Sequence, residues 1–181
     1  MNPAVVFDVG GNTGKFAGLC LTEMPKLHCT IIDLPSQCEL IAQNPALDAV
    51  RSRLATASVD WLDEKAVPEV TGAPDIIWMS QFLDCFTEDQ AVSILTRMKR
   101  FLPTHGRLAV LECLWDRQPF EAAKLSLVAS SLYFTALANG NSRFFSEAKL
   151  LKIFERAGLT VESVQDGLGV AHTLYILKVA A

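Results

Sequence analysis

Short apolar segments alternate with helical segments through the first 113 residues, and this alternation restricts the fold more than any other feature. Such a pattern favours a parallel sheet with helices on both faces. Right-handed crossovers then bring ligands to the carboxyl ends of the strands. Side chains that directly follow a strand are therefore the first functional candidates. The predicted strands of this region are Ala4–Asp8, His28–Asp33, Leu54–Ser58, Asp75–Ser80 and Arg107–Glu112.

The other predicted elements complete an α/β domain. Helices are expected where apolar residues recur at helical spacing between capping and turn residues. They run from about Thr13 to Glu23, Pro35 to Gln43, Thr87 to Phe101, Phe120 to Ala138 (one helix or a pair, ended at Asn139) and Ser146 to Ala157, with Thr87 and Ser146 as N-caps. Thr160–Gln165 and His172–Val179 are predicted strands. The short link Asp166–Gly169 suggests that they pair antiparallel at the sheet edge.

A glycine-rich turn, Asp8–Gly14, follows the first strand and reads Asp-Val-Gly-Gly-Asn-Thr-Gly. Glycines let a ligand approach the backbone, and the next helix supplies free N–H groups. The spacing matches neither the dinucleotide pattern G-x-G-x-x-G nor the phosphate-binding pattern G-x-x-x-x-G-K-[ST]. Asp8 would repel a pyrophosphate but could pair with an ammonium group, which favours a cationic ligand such as an amino acid zwitterion. The alternative is a tight turn without a ligand.

Further carboxylates follow the next two strands. Asp33 stands about twenty residues after the glycines, where a carboxylate can accept hydrogen bonds from both hydroxyls of a ribose. Its alternative role is the N-cap of the following helix. After the third strand, Asp60 could accept from an adenine amino group and Trp61 could cover the ring. The alternative there is an ordinary loop aspartate beside a core tryptophan.

These segments resemble those of one enzyme family. Val6–Gly14 resembles the first motif of class I S-adenosylmethionine-dependent methyltransferases. Asp33-Leu34-Pro35 is similar to the D-L-P motif of the small-molecule O-methyltransferases, which include plant caffeate and flavonoid enzymes and bacterial polyketide-tailoring enzymes. The resemblance covers nearly the whole chain in order, because three later segments also fit: Trp78–Gln90, Gly106–Glu112 and Ser146–Gly158.

The resemblance implies a Rossmann-like, seven-stranded, mostly parallel sheet in the order 3-2-1-4-5-7-6, with strand 7 antiparallel. It implies S-adenosylmethionine as the cofactor and methyl transfer to an oxygen of a small aromatic molecule. It places the methionine end of the cofactor at Gly10, Gly11 and Gly14, the ribose at Asp33, and the adenine against Leu34, Asp60 and Trp61. The other positions that it assigns to the cofactor are Asp8, Asn12, Ser80 and Gln81.

Two positions depart from the family pattern. Asn12 replaces the central glycine of the turn, which is a mild change because asparagine tolerates positive φ better than most residues. Asp84 stands where plant relatives carry the histidine that deprotonates a phenol. An ordinary aspartate has a pKa near 3.9, against about 6.5 for histidine, so it is a weak base for a phenol unless burial raises its pKa.

Asp84 leaves three interpretations open. It is a base with a raised pKa, or positioning of the substrate suffices for transfer, or the chain binds S-adenosylmethionine without transferring its methyl group. A structural alternative is a carboxylate at the N-terminus of the helix capped by Thr87. A nicotinamide-dependent dehydrogenase of related fold is disfavoured by Asp8 and by the lack of G-x-G-x-x-G.

Several other side chains are candidates for contacting a substrate. Glu112 ends the fifth strand and is the second candidate catalytic residue; its alternative is a salt bridge with Arg107 or Arg117. Arg143 and His172 are secondary candidates, and the alternative for His172, which begins a predicted strand, is a structural role. The aromatic-rich segment Phe120–Phe145 corresponds in relatives to one wall of an aromatic-substrate pocket, and its alternative is core or dimer packing.

Composition restricts the remaining possibilities. The 181 residues suit one domain, residues 1–181, and a net charge of −4 without a Lys/Arg block argues against nucleic-acid or membrane partners. We expect no signal peptide or bilayer-spanning run. The five cysteines include no C-x-x-C pair, which is typical of reduced thiols in a cytoplasmic protein, and the three histidines predict no metal site. The resemblance implies N-terminal helices through which relatives dimerise, and we expect this chain to lack them. A homodimer formed in another way is a candidate assembly.

Overall fold

A seven-stranded sheet forms the frame of the protein, whose structure is a computed structural model that describes residues 3–138 and 140–180. The strands are β1 (Val5–Val9), β2 (His28–Asp33), β3 (Leu54–Ser58), β4 (Ile76–Ser80), β5 (Arg107–Cys113), β6 (Leu159–Leu168) and β7 (His172–Val179). Their order is β3-β2-β1-β4-β5-β7-β6. β1 pairs parallel with β2 and β4, β2 pairs parallel with β3, and β7 pairs antiparallel with β6. The predicted sheet, its order and its antiparallel strand are confirmed.

Helices connect the strands. The α-helices of the described residues are α1 (Lys15–Glu23), α2 (Pro35–Ala42), α3 (Glu88–Met98), α4 (Glu121–Tyr133) and α5 (Glu147–Arg156). Short 3₁₀ helices cover Pro45–Arg53, Leu83–Cys85, Lys99–Phe101 and Trp115–Arg117, and a π-helical turn, Phe134–Ala138, continues α4. None of the helices in the described ranges combines the length and apolarity needed to cross a membrane.

The residues up to Met79, together with Arg97–Leu108, form a first compact unit. Its core packs β1 and β2 against α1, α2 and the 3₁₀ helix that precedes β3. The buried residues of this core include Val6, Ala17, Leu21, Ile31, Ile41 and Leu47. Arg53 stabilises the C-terminal end of α1, since its guanidinium donates to the carbonyl oxygens of Leu21, Met24 and Leu27. This packing supports the turn that follows β1.

Ser80–Thr96 and the residues from Ala109 onward form a second compact unit. Helix α5 is amphipathic and buries Leu150, Ile153 and Phe154. The Phe154 ring meets Tyr175 of β7 edge-on, with the ring centroids 5.5 Å apart. Ser146 caps α5 as predicted, because its hydroxyl oxygen accepts the N–H of Lys149 at 3.3 Å.

Three local features differ from expectation. The sequence does not predict the helix Pro45–Arg53, which starts where the Asn44 side chain accepts the N–H of Ala46 at 3.0 Å. β6 is longer than predicted and continues to Leu168, so most of the expected link Asp166–Gly169 belongs to the strand; two register irregularities accommodate the extra length. The helix end expected at Asn139 lies outside the described residues.

Candidate functional site

The turn after β1 has a backbone that few residues can adopt. Gly10, Asn12 and Gly14 all have positive φ, at 74°, 50° and 78°. The prediction that Asn12 tolerates this conformation in place of glycine is confirmed. Gly11 is needed for a different reason: a Cβ atom there would lie 2.6 Å from an Asp8 carboxylate oxygen and 2.8 Å from Ile31. At Gly11 the turn therefore places backbone that has no side chain against the Asp8 carboxylate.

Asp8 is a buried acid with an incomplete set of partners. Its side chain is 3% exposed, and Oδ2 has no hydrogen-bond partner. Burial, with a smaller contribution from the charge of Asp33, raises the pKa of Asp8 to about 7. A buried, unpartnered carboxylate oxygen is costly, and a cationic group beside it would offset that cost.

Asp33 ties the turn to the end of β2. Its Oδ2 accepts the N–H of Asn12 at 2.8 Å, and its Oδ1 accepts the N–H of Leu34 at 2.7 Å. The alternative role as N-cap of α2 does not apply, because Leu34 occupies that position without a side-chain cap. Each carboxylate oxygen keeps further acceptor capacity for a ligand hydroxyl. Leu34 lies beside it with 43% of its surface exposed.

Asp60 and Trp61, which follow β3, differ from each other in exposure. Asp60 is exposed, and its Oδ1 accepts the N–H of Leu62 at 2.9 Å. Trp61 is only 3% exposed, and the guanidinium of Arg97 lies 5.1 Å from the centroid of its ring. Arg97 also donates to the carbonyl oxygen of Trp61 at 3.0 Å. The Trp61 side chain is thus part of the core, as the alternative role of this residue predicts.

In the second unit, the chain turns sharply after β4. Ser80 is half-buried, and Gln81 has φ 47°, a conformation that is uncommon for residues other than glycine, asparagine and aspartate. The Gln81 N–H donates to the carbonyl oxygen of Leu111 at 2.8 Å. Gln81 lines a cavity of about 180 Å³ in this unit. Strained backbone at a cavity is a typical property of functional sites.

Glu112 lies behind this turn and is 1% exposed. Its Oε1 accepts the N–H groups of Phe82 and Leu83 at 3.2 and 2.9 Å, whereas its Oε2 is buried without a partner. Burial and the charge of Asp84 raise the pKa of Glu112 well above its usual range. The alternative salt bridge to Arg117 is wrong, because Arg117 instead pairs with Glu147 and Asp166.

Asp84 lies in the 3₁₀ turn Leu83–Cys85 and lines the 180 Å³ cavity. Burial raises its pKa to about 6, and Oδ1 lies 3.6 Å from the thiol sulfur of Cys85. Asp84 precedes the Thr87 cap of α3 by three residues, whereas Glu88 and Asp89 occupy the first turn of that helix. A pKa of about 6 lies well above the usual value of an aspartate and close to that of a histidine.

The cavity also contains Phe134 and Phe144, which belong to the aromatic-rich segment Phe120–Phe145. Cys85 and Ser142 line it as well, and the sequence did not single out these two residues. Phe134 and Phe144 meet edge-on with their ring centroids 6.3 Å apart. Only the aromatic richness of the segment pointed towards this wall, since convergence of distant segments has no local sequence signal.

The sheet order, the glycine turn after β1 and the carboxylates at the carboxyl ends of β1 and β2 define the class I, Rossmann-like methyltransferase fold. The chain belongs to the O-methyltransferase domain family, whose model matches residues 2–160. That match covers the turn, the first unit and the second unit as far as the start of β6.

Individual relatives are more distant. The chain is 28% identical over 152 residues to the norreticuline-7-O-methyltransferase of Papaver somniferum, covering 83% of this chain and 38% of that protein. It is 30% identical over 125 residues to the 3-hydroxy-5-methyl-1-naphthoate 3-O-methyltransferase of Streptomyces sahachiroi, covering 67% and 35%. Among solved structures, a mitomycin 7-O-methyltransferase has a TM-score of 0.83 at 20% identity, with 98% of this chain and 49% of that one aligned. The chain thus spans half or less of the length of these relatives.

Proposed function

We propose that this protein transfers the methyl group of S-adenosylmethionine to an oxygen of a small aromatic molecule. The observation that carries the proposal is the buried Asp8 carboxylate, which has an unpartnered oxygen beside a turn whose backbone is bare at Gly11. The ammonium group of the cofactor's methionine end complements that oxygen. Membership of the O-methyltransferase domain family supports the reaction type.

The first unit would hold the cofactor. Gly10, Gly11, Asn12 and Gly14 give the methionine end access to backbone. The remaining acceptor capacity of Asp33 suits the ribose hydroxyls, and the exposed Leu34 suits the adenine face. Asp60 remains a candidate for the adenine amino group, and Ser80 and Gln81 remain candidates beside the cofactor. When bound, the cofactor supplies a methyl group already activated by its sulfonium.

The second unit would hold the acceptor. The aromatic rings of Phe134 and Phe144 form walls suited to an aromatic body, and Asp84 is the polar group that would take the hydroxyl proton. Glu112 would position Asp84, because its Oε1 binds the N–H groups of Phe82 and Leu83 directly before it. Positioning of the acceptor oxygen against the methyl group supplies much of the rate enhancement when that methyl group is already activated.

Two measurements test the proposal. Calorimetric titration with S-adenosylhomocysteine should show binding, with NAD as the control ligand that should not bind. A screen of phenols with radiolabelled S-adenosylmethionine should show transfer of the label. Binding without transfer to any phenol would support the alternative of a cofactor-binding protein, and preference for NAD would overturn the cofactor assignment.

The variant that tests the proposed ribose contact is Asp33→Ala. We expect it to weaken S-adenosylhomocysteine binding at least about tenfold, because it removes the acceptor for the ribose hydroxyls and releases the N–H of Asn12. Asp48→Ala is the control, since that carboxylate is exposed and pairs with Arg51. Equal affinity of wild type and Asp33→Ala would show that the ribose site is misplaced.

A further inference from the structure

Arg143 stands on a wall shared by two cavities of the second unit. The smaller one, of about 180 Å³, contains the Asp84 carboxylate. The larger one, of about 470 Å³, is bordered by Trp115, Val128 and Leu132. Arg143 and Phe144 line both cavities. Apolar side chains and polar groups, among them Lys149 and Asp84, therefore surround Arg143.

The side chain of Arg143 is 39% exposed and, within the described part of the chain, has only a distant ion-pair partner. Its Nε is buried and has no hydrogen-bond partner. Its Nη2 lies 3.9 Å from Oε1 of Glu88, which is too long for a hydrogen bond. That same Glu88 oxygen accepts from Nζ of Lys149 at 2.8 Å. The carboxylate of Glu88 is therefore committed to Lys149, and the Nε–Nη2 edge of Arg143 lacks a close acceptor among the described residues.

The Nε–Nη2 edge of a guanidinium has the geometry that binds both oxygens of a carboxylate through parallel N–H donors. Arg143 is also tied to Asp84, because its backbone N–H donates to the Asp84 carbonyl oxygen at 2.9 Å. The backbone contact places an anion-binding edge and a candidate base on adjoining segments. Phe134 and Phe144 supply aromatic walls at the same cavity.

We propose that Arg143 determines acceptor specificity by binding the carboxylate of an aromatic hydroxy acid, with the substrate hydroxyl directed to Asp84. This inference rests on the proposed function and names the substrate class of the same site. A cavity of about 180 Å³ is smaller than the ~300 Å³ at which sites for drug-sized ligands begin. A compact acid of one or two rings is therefore the probe that suits this cavity.

The test uses two probes that differ only in the carboxylate, 3-hydroxy-2-naphthoate and 2-naphthol. Each is titrated calorimetrically into the protein without cofactor. We expect the acid to bind at least about tenfold more tightly, because a bidentate pair with arginine is among the stronger polar contacts. Arg143→Gln should abolish this preference, and Arg143→Lys should retain part of it. Arg156→Gln, which removes an exposed arginine paired with Asp89, should leave it unchanged.

Equal dissociation constants for the two probes, no binding of the acid, or an unchanged preference in Arg143→Gln would overturn the inference. The Arg143 variants should fold, since the contact with Asp84 is made by the backbone, and their circular dichroism spectra check this. S-adenosylhomocysteine is titrated separately. Its failure to bind would refute the proposed function, whereas the carboxylate preference would still report on Arg143.

Discussion

Asp8 lies almost entirely out of solvent, with one oxygen unpartnered and a pKa raised from 3.8 to about 7. The folded protein therefore binds this proton more tightly than the unfolded chain does. The stability of the unliganded protein should fall as the pH rises from about 4 to about 7, by at most on the order of 4 kcal/mol. A cationic ligand beside Asp8 would offset part of this loss of stability. The stability of the folded protein should therefore depend on whether the proposed cofactor is bound.

Asp8→Asn should therefore stabilise the unliganded protein at pH 8. Asparagine has nearly the shape of a protonated aspartate but cannot ionise, so the advantage should shrink towards pH 5 as the wild-type side chain takes up its proton. Urea unfolding at both pH values measures the difference. Glu39→Gln, a change of an exposed carboxylate on α2, is the control. A stability difference that does not depend on pH would contradict the assignment of the buried charge.

Asp84 should give the proposed reaction a pH dependence of its own. A base must be ionised to accept a proton, so kcat/KM should rise through a pH of about 6, the raised pKa of this residue. Asp84→Asn should lower kcat/KM and remove that rise, and Asp84→His should restore a base with a pKa near 6.5. The pH profile of the three proteins measures this. Retention of the wild-type profile by Asp84→Asn would show that positioning suffices.

At the scale of elements, α3 starts at a reciprocal cap. The Thr87 hydroxyl oxygen accepts the N–H of Gln90 at 3.3 Å, and Oε1 of Gln90 accepts the N–H of Thr87 at 2.9 Å. Two N–H groups that have no partner within the helix are satisfied in this way. The cap also fixes where the helix begins after the turn that carries Asp84.

Thr87→Ala should destabilise the protein by about 1 kcal/mol, because it removes the hydroxyl acceptor at the start of α3. Thermal unfolding measures the change. Ser126→Ala is the matched control, since the Ser126 hydroxyl only donates to a carbonyl oxygen within α4, at 2.8 Å, on an exposed surface. Equal melting temperatures for Thr87→Ala and Ser126→Ala would contradict the role of the cap.

The strand His28–Asp33 was predictable because burial of its C-terminal half produces an apolar run, and its predicted and observed bounds agree. The bounds predicted for Leu54–Ser58 also agree, although most of that strand is exposed. Both N-caps, Thr87 and Ser146, follow from local side-chain chemistry. The sequence did not decide whether Trp61 is buried, because its burial depends on the distant Arg97, whose guanidinium lies over its ring. Strands and helix caps, which depend on neighbouring residues, can be predicted from the sequence. Burial that depends on contacts between distant residues cannot.

At the scale of the whole molecule, α4 contributes a large exposed apolar surface. No side chain of this helix is fully buried, and Leu125 and Leu132 are 69% and 71% exposed. Their spacing of seven residues places them on one face of the helix. Exposed apolar patches of this kind are typical of interaction surfaces, and the net charge of −4 provides little repulsion between copies. We expect the protein to self-associate through α4.

The double variant Leu125→Lys, Leu132→Lys should weaken this association, because it places two charges on the face that would be buried between copies. Sedimentation velocity over a wide concentration range measures the association. The control is Leu40→Lys with Leu62→Lys, which removes two leucines of 54% and 60% exposure outside α4 and changes the net charge equally. A monomeric wild type at every concentration would contradict the expectation. Equal effects of the two double variants would assign the association to overall charge instead of α4.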